Sequence, residues 1–224
     1  WHGQRYSAAK AFLDPVRNRP NLDVLTLTDV LWINFEDRRA TSVTVRDSRG
    51  ERAIDAGKEI IVCAGAIQSP KLLQLSGIGP AALLESHGIA VVKDAPQVGR
   101  NLREHFFLAM QYRVKSHSLN HRFFGLGLLR SVWQYYTGRK GPLTHSAHEI
   151  GGFVKTRPEL DRPDAQIGIS LYSLTYGEDE VVPEKQPGLT LGGYFMRPQS
   201  QGEVSIRSAN PDVPPYICAN YLQS

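Results

Sequence analysis

Cysteine is scarce in this 224-residue chain, which has only Cys63 and Cys218. Two cysteines are too few for a disulfide framework or for a zinc site built from four cysteines. No apolar stretch approaches the ~20 residues that a membrane-spanning helix needs, since runs such as Ile60–Ala66 stop far short of that length. The remaining composition, 41% hydrophobic and 21% charged, is typical of a folded globular protein and excludes a collagen-like fibre, a coiled coil or a disordered tail.

Dense positive charge is also missing. The 26 lysines and arginines outnumber the 22 aspartates and glutamates, which gives a net charge of +4 and a pI near 9.1. These basic residues are scattered, with no run longer than pairs such as Arg38–Arg39 and Arg139–Lys140. The sequence shows neither a basic stripe interleaved with aromatic residues nor a helix-turn-helix pattern. We therefore expect a mixed, solvated surface and no nucleic-acid partner.

An initiator methionine and a signal-peptide pattern are absent too, because the chain starts with Trp1-His2-Gly3. It stops at Ser224, directly after a segment with the composition of a strand. We expect the chain to be an interior piece of a longer protein.

Hydrophobic periodicity in the first part of the chain predicts an antiparallel meander followed by a different kind of strand. Glu59–Gly65 is a continuous apolar run, which is typical of a strand buried on both faces of a parallel sheet. Ser69–Pro70 predicts the start of a helix, because serine caps helices and proline suits the first helical position. The meander strands are predicted at 22–27, 30–35, 40–46 and 51–56, a short helix at 81–87 and a short strand at 89–92.

The second part of the chain predicts an antiparallel sheet with one amphipathic helix at 123–136 and a long acidic loop at 176–187. The strand candidates are 106–114, 150–155, 165–172, 189–196, 203–207 and 216–221. We therefore predict an α/β (α+β) chain of two domains. Residues 1–105 form part of a Rossmann-like nucleotide domain with the meander, and residues 106–224 form the antiparallel-sheet domain.

The stretch from Ile60 to Gly79 carries most of the functional signal. The predicted strand ends at Ala64–Gly65, where small residues allow a ligand or another backbone to approach closely. Ligands of open α/β sheets bind at the carboxyl ends of strands. A strand-turn-helix unit without a ligand explains the same residues, so physics alone leaves both interpretations open.

Gly65-Ala-Ile-Gln-Ser-Pro-Lys-Leu-Leu-Gln-Leu-Ser-Gly-Ile-Gly79 resembles the second signature of the glucose-methanol-choline (GMC) oxidoreductases. Val98-Gly-Arg-Asn-Leu-Arg-Glu-His105 is similar to a loop of the same family, and the segments at 5–22 and 202–222 resemble its flanking stretches. The choline dehydrogenase-like branch is indicated by His148-Glu-Ile-Gly-Gly-Phe153. The chain departs from the family pattern at Gln97, Glu104 and Asn210.

The resemblance implies an FAD-dependent enzyme that oxidises a primary alcohol to the aldehyde by hydride transfer to the flavin. It implies that residues 1–105 belong to the FAD-binding domain and residues 106–224 to a substrate-binding domain. It also implies that the backbone of Val30 pairs with the adenine of FAD, and that Ala64 and Gly65 lie against the AMP half. No G-x-G-x-x-G phosphate loop is present, and the catalytic base is expected beyond the C-terminus, so no catalytic residue and no metal ligand is assigned within the chain.

Glu149 is the substrate-binding candidate, because it resembles an acid that faces the trimethylammonium group in choline-oxidising members. A carboxylate in a partly dry pocket attracts a cation, and aromatic neighbours add cation–π attraction. A solvated glutamate at a strand end is an equally good interpretation. His105 is expected in a loop or covering the cofactor, and His145 and His148 could face a substrate cavity or be solvated.

Two alternatives to alcohol oxidation stay open. The chain could be a non-catalytic module with the GMC fold, or part of a GMC-fold lyase or photodecarboxylase. The resemblance further implies a small-molecule alcohol as partner, a homo-oligomer or a complementing chain, and a cytoplasmic setting with peripheral association at the inner membrane. The isolated 224 residues are expected to be inactive.

Overall fold

The computed structural model describes residues 2–146, 148–177 and 180–223, which form two compact units. The helix–meander unit consists of Asp23–Glu104 and the residues from Pro198 onward, and the four-strand unit consists of the residues up to Leu22 and His105–Arg197. The two continuous stretches predicted from the sequence, 1–105 and 106–224, do not describe these units. The reason is that the last strands of the chain form their hydrogen bonds within the helix–meander unit.

The meander is a three-stranded antiparallel sheet in the order β1-β2-β3. Its strands are β1 (Asp29–Glu36), β2 (Arg39–Asp47) and β3 (Gly50–Asp55). The local sequence pattern predicted these three strands correctly, and Leu31, Ile33 and Val45 are buried in the core of the unit. The fourth predicted strand, 22–27, is irregular in the structure.

The apolar run before the GMC-like motif was predicted as a buried strand, and this prediction is wrong. Residues 57–64 form no strand, and Ile61 is 74% exposed. A strand needs a neighbour to take its backbone hydrogen bonds, and none of the described strands pairs with this segment. Helix α1 (Gly65–Leu75) starts four residues before the predicted Ser69–Pro70, so Pro70 lies inside the helix.

The rest of the helix–meander unit surrounds α1. Helix α2 (Ala81–Ser86) connects the short parallel strands β4 (Ile78–Gly79) and β5 (Lys93–Asp94), the second of which lies just after the strand predicted at 89–92. A second antiparallel sheet has the order β14-β13-β6. Its strands are β6 (Arg100–Leu102), β13 (Gly202–Ser205) and β14 (Tyr216–Cys218).

Gln74 holds α1 against this second sheet. Its side chain is 1% exposed, and Nε2 donates hydrogen bonds to the carbonyls of Val98 and Val204, each over 3.2 Å. Its Oε1 accepts the backbone N–H of Ile206 over 2.8 Å. One buried amide therefore satisfies three backbone groups from two distant segments of the chain.

The four-strand unit contains an antiparallel sheet in the order β7-β12-β9-β8. Its strands are β7 (Leu108–Arg113), β8 (Ile150–Val154), β9 (Ala165–Ser170) and β12 (Gly188–Phe195), as the sequence predicted. The helical segments are a π-helical turn (Ala9–Leu13), three 3-10 turns (Asp14–Val16, Asn120–Phe123, Pro142–Thr144) and helix α3 (Gly125–Gly138). Helix α3 confirms the helix predicted at 123–136. Among the described residues, no helix is both long enough and apolar enough to cross a membrane.

The two faces of this sheet differ in side-chain size. One row in register across all four strands is small, and the adjacent row, which points to the opposite face, is apolar. The small row is Ala109, Gly192, Gly168 and Gly151, and the apolar row is Met110, Leu191, Ile169 and Ile150. A Cβ on Gly192 would lie 2.3 Å from the ring of Phe107, so the missing side chain makes room for that ring.

A hairpin stands where the sequence predicted a long loop. Strands β10 (Leu174–Tyr176) and β11 (Val181–Pro183) pair antiparallel, and the tip, Glu178 and Asp179, lies outside the described residues. The base of the hairpin is anchored by buried Asn120, whose Nδ2 donates to the carbonyls of Ser173 and Glu184.

Candidate functional site

A cavity of roughly 730 Å³ lies in the helix–meander unit. This volume is within the range of pockets that bury a small organic ligand, about 300–1,000 Å³. Its wall includes Val30 and Ala64, two of the three residues that the GMC resemblance assigned to the cofactor. The third, Gly65, follows directly as the first residue of α1 and is not part of the wall. The wall is formed by Thr28, Asp29, Val30, Leu31, Val43, Arg46, Ile60, Ile61, Val62, Cys63, Ala64, Gln68, Lys71, Leu72, Leu75, Pro211 and Asp212.

One wall of the cavity is the edge strand of the meander. Among the described residues, strand β1 pairs only with β2, so one side of its backbone has no strand partner there. On that side, Ile33 donates its N–H to Oγ of Ser76 over 2.8 Å. The pairing register shifts between Val30 and Trp32, which marks a bulge beside the cavity. An edge strand can offer backbone donors and acceptors to a ligand, and Val30 is 48% exposed.

A second wall is formed by residues 60–64 and the adjoining turns of α1. Ala64 is the residue preceding the helix, and no side chain caps the helix start. Gly65 has a φ of +80°, a conformation that favours glycine, and a Cβ there would meet nothing within 4 Å. Backbone conformation therefore accounts for the glycine at this position, with no need for a tight contact.

Charged side chains border the cavity on a third side. Both terminal nitrogens of the Arg46 guanidinium donate to the carboxylate of Asp212, one of them over 3.2 Å. The hydrogen bond from Arg46 lowers the pKa of the Asp212 carboxyl below its usual value, and Asp212 in turn raises the pKa of Arg46. Lys71 Nζ donates to the carbonyl of Pro211 over 2.5 Å.

The four-strand unit contains a separate pocket of roughly 420 Å³, which includes Glu149. Its wall is largely apolar, and the rings of Phe123 and Tyr172 meet edge to face with centroids 5.2 Å apart. The wall residues are Leu119, Phe123, Pro142, Leu143, His145, Ser146, Glu149, Tyr172, Leu174, Val181 and Pro183. This is an apolar pocket with one carboxylate and one imidazole.

The carboxylate of Glu149 is already partly engaged. Its side chain is 12% exposed, and Oε2 accepts the backbone N–H of Leu171 over 3.0 Å. The backbone N–H of Glu149 also donates to the carbonyl of Ile169, next to the ladder between β8 and β9. The bond from Leu171 to the Glu149 side chain therefore adds one hydrogen bond to the end of that ladder. Oε1 lies 3.8 Å from Nδ1 of His145. Glu149 is therefore neither fully solvated nor free to turn both oxygens toward a ligand.

Four rings lie next to one another beside the small row of the sheet. The ring of His105 stacks on Tyr194 at 4.3 Å, Tyr194 is 6.2 Å from Phe107, and Phe107 is 5.8 Å from His148. Nδ1 of His148 is 2.9 Å from Oγ of Ser170, and Nε2 of His105 is 3.0 Å from the carbonyl of Met196. A Cβ on Gly168 would lie 3.1 Å from the His148 ring. The two histidines are thus fixed by hydrogen bonds and ring contacts.

Comparison with known proteins identifies the chain's relatives. The sequence profile of the family described as GMC oxidoreductase matches residues 1–107. An "alcohol dehydrogenase [acceptor]" of Pseudomonas putida is 40% identical over 99% of this chain, and an "oxygen-dependent choline dehydrogenase" of P. putida KT2440 is 36% identical over the whole of it. A solved formate oxidase of Aspergillus oryzae RIB40, studied for its FAD modification, covers the whole chain with a TM-score of 0.88 and 26% identity. The likeness to GMC oxidoreductases therefore extends over almost the whole chain, because a "GMC-type oxidoreductase" of Mycobacterium tuberculosis is 36% identical over 98% of it.

The chain spans about two fifths of the length of these GMC relatives: 40% of each curated protein and 43% of the formate oxidase chain. Its mixed fold of helices and antiparallel sheets resembles the corresponding part of the GMC oxidoreductase fold. The second GMC signature, Gly65–Gly79, forms α1 and β4 in the structure. The signature therefore supplies one wall of the larger cavity.

Sequence reasoning missed several residues that shape the larger cavity. Gln74 occupies a position that the GMC signature leaves free, so the motif gives no signal for its buried role. Arg46 and Asp212 are 166 residues apart, and nothing local in the sequence predicts their ion pair. Ser76 is part of the signature, and its hydrogen bond to Ile33 gives that motif position a structural role. Among the described residues, there is no group of three or more His, Cys, Asp or Glu side chains that could hold a metal ion.

Proposed function

We propose that the natural protein carrying this sequence is an FAD-dependent enzyme that oxidises alcohols, and that the larger cavity receives the adenosine part of FAD. The observation that carries this proposal is that Val30 and Ala64, which the family resemblance assigns to FAD, line one cavity although they are 34 positions apart (64 − 30). Bound FAD would supply the hydride acceptor for alcohol oxidation.

The residues present fit an adenosine. The cavity is large enough, its walls mix apolar side chains with the edge of β1, and the wall at Ala64 carries only a methyl group. A planar base can take hydrogen bonds from a strand edge, and this requires no polar side chain at Val30. The role of the chain's own residues in this unit is thus to hold and orient the cofactor.

The four-strand unit is proposed to contribute to substrate binding, with Glu149 at the end of an apolar, aromatic pocket. Choline is one candidate substrate, because Oε1 of Glu149 is not used in the ladder and could face a quaternary ammonium group. A neutral alcohol is the second candidate, because Oε2 is held by Leu171 and His145 lies beside Oε1. The catalytic base is proposed to lie outside this chain, so the isolated 224 residues should not oxidise alcohols.

The cofactor proposal is tested by filling the cavity. In the natural protein, Ala64→Leu places a larger side chain on the cavity wall. Overpacking of about 1–3 kcal/mol should weaken FAD binding by roughly five- to 150-fold. Ala82→Leu is the matched control, because Ala82 is also exposed but lies on α2, away from the cavity wall. FAD content and dissociation are read from flavin absorbance and fluorescence; equal binding by both variants would contradict the assignment.

The substrate proposal is tested with choline and its neutral tert-butyl analogue, in which carbon replaces the quaternary nitrogen. If Glu149 recognises the cation, Glu149→Gln should lower kcat/KM for choline about tenfold or more relative to the neutral analogue. An equal loss for both substrates assigns Glu149 to the ladder with Leu171 and favours a neutral alcohol. Oxidation of neither compound nor of other primary alcohols by the natural protein would refute alcohol oxidation itself.

A further inference from the structure

The segment 208–213, between β13 and β14, forms part of the wall of the larger cavity without belonging to a helix or strand. We propose that this segment, which we call the strap, retains the nucleotide in the cavity and moves when the nucleotide enters or leaves. The proposal rests on the proposed function, because it takes the adenosine part of FAD as the occupant of the cavity.

Two tethers from different elements hold the strap. Arg46, on β2, forms its ion pair with Asp212, and Lys71, on α1, donates to the carbonyl of Pro211. The tethers end on Asp212 and Pro211, the two strap residues that line the cavity. The strap is thus fixed to the meander and to the helix, both of which contribute wall residues.

The strap also has hydrogen bonds of its own that keep its shape. The backbone N–H of Asp212 donates to Oδ1 of Asn210 over 2.9 Å, and the backbone N–H of Asn210 donates to Oγ of Ser208 over 3.1 Å. The N–H of Val213 donates to the carbonyl of Asn210. Asn210, one of the departures from the family pattern, thus organises the turn that presents Asp212 to Arg46. Such a segment can move as one piece when its tethers break.

The tethers are weaker than the rest of the wall. The side chains of Arg46 and Asp212 are 33% and 59% exposed, and an exposed ion pair contributes little to the stability of a fold because water and salt screen it. Strand β1 is held by its ladder to β2 and helix α1 by its own backbone hydrogen bonds, whereas the strap is held by side chains from outside it. Loss of the ion pair should therefore open the cavity on the strap side while leaving the unit folded.

The test uses the natural protein with its FAD. Asp212→Asn, Arg46→Gln and the double variant remove the ion pair, and Lys71→Met removes the other tether. Glu203→Gln is the matched control, because it breaks an exposed ion pair with Arg100 in the same unit, and neither residue lines this cavity. FAD release is followed by flavin fluorescence after dilution, and opening of residues 208–213 by hydrogen exchange.

We expect each single variant at Arg46 or Asp212 to release FAD about two- to fivefold faster than the unmodified protein. The double variant should be no faster than the singles, because both remove the same interaction. Added salt should accelerate release from the unmodified protein but not from the double variant, since salt screens an exposed ion pair. Hydrogen exchange should rise in the strap and stay unchanged in β13 and β14.

The outcomes separate the strap from the function on which it rests. A natural protein that binds no FAD refutes the proposed function. A protein that binds FAD but releases it at the same rate in the strap variants and in Glu203→Gln overturns the strap proposal. FAD that never dissociates from any variant overturns it too, because the strap then does not control retention, and equal acceleration in all variants shows general destabilisation instead.

Discussion

Gln74 offers the most direct test of how the helix–meander unit is held together. Replacing it with leucine keeps a side chain of comparable size but removes the amide that bonds to Val98, Val204 and Ile206. The position is 1% exposed, so water cannot easily replace these hydrogen bonds. The substitution therefore measures how much one buried amide contributes to the free energy of unfolding.

The expected cost follows from the three lost partners. The N–H of Ile206 loses its acceptor, Oε1 of Gln74, and an unsatisfied buried donor costs about 1–3 kcal/mol. The carbonyls of Val98 and Val204 each lose a bond to Nε2, and leucine gains some apolar burial that offsets part of the loss. We expect Gln74→Leu to lower the free energy of unfolding by about 3 kcal/mol, a large share of the ~5–15 kcal/mol typical of a folded protein.

The assay is chemical denaturation of the natural protein, combined with hydrogen exchange at the amide of Ile206. Gln201→Leu is the control, because the same substitution there falls on an exposed residue of the same unit. Exchange at Ile206 should accelerate only in Gln74→Leu. If both variants lose the same stability, or if Ile206 exchanges no faster, then the amide of Gln74 does not hold α1 to β13 and the reasoning fails.

Two further predictions concern the glycine at position 99 and the carboxylate of Glu184. Gly99→Ala should lower the melting temperature, because φ is +84° and the new Cβ would lie 2.0 Å from the carbonyl of Val204, whereas Gly57→Ala, where nothing lies within 4 Å, should leave it unchanged or raised. A thermal shift that is equal for both variants contradicts this. Hydrogen bonding from Arg113 lowers the pKa of Glu184 from 4.5 to about 2, so its contribution to stability is complete above pH 4.5 and is lost as the pH falls toward 2. The stability difference between the natural protein and Glu184→Gln should therefore shrink over that range, and a difference independent of pH would exclude the ion pair as its source.

Local composition and alternation were sufficient to predict the strands of the meander and of the four-strand sheet. β1 follows from its β-branched and aromatic residues and β2 from its alternation, and the strands of the larger sheet follow from similar local signals. The period of 2 is set by the strand itself and needs no knowledge of distant residues.

Prediction failed where the outcome depends on partners elsewhere. The run 59–65 has the composition of a buried strand, but a strand forms only where another strand takes its hydrogen bonds, and the described residues offer none. The start of α1 was placed at Ser69–Pro70 from local helix-start signals, whereas the helix begins at Gly65. The hairpin β10–β11 lies in a segment rich in acidic and proline residues, and its base is fixed by Asn120, more than 50 positions away.

The candidate site was predictable only in part, and for a similar reason. The resemblance to the GMC signature pointed to Val30 and Ala64, and the fold brings both to one cavity. The tether between Arg46 and Asp212 could not be predicted, because an ion pair between surface residues leaves no periodic signal in either segment. The engagement of Glu149 by Leu171 was equally hidden, since it depends on the register of β8 against β9.

Helix α1 and the residue before it have positions of two kinds in this unit. Ala64, Gln68, Lys71, Leu72 and Leu75 recur at helical spacing and line the cavity, whereas Gln74 lies on another side of the helix, bonded to the second sheet. One side of the helix therefore faces the cavity, and another holds the helix to the second sheet. The two kinds of substitution should separate accordingly. Changes at Lys71 should alter FAD release with little loss of stability, and changes at Gln74 should lower stability whether or not FAD is bound.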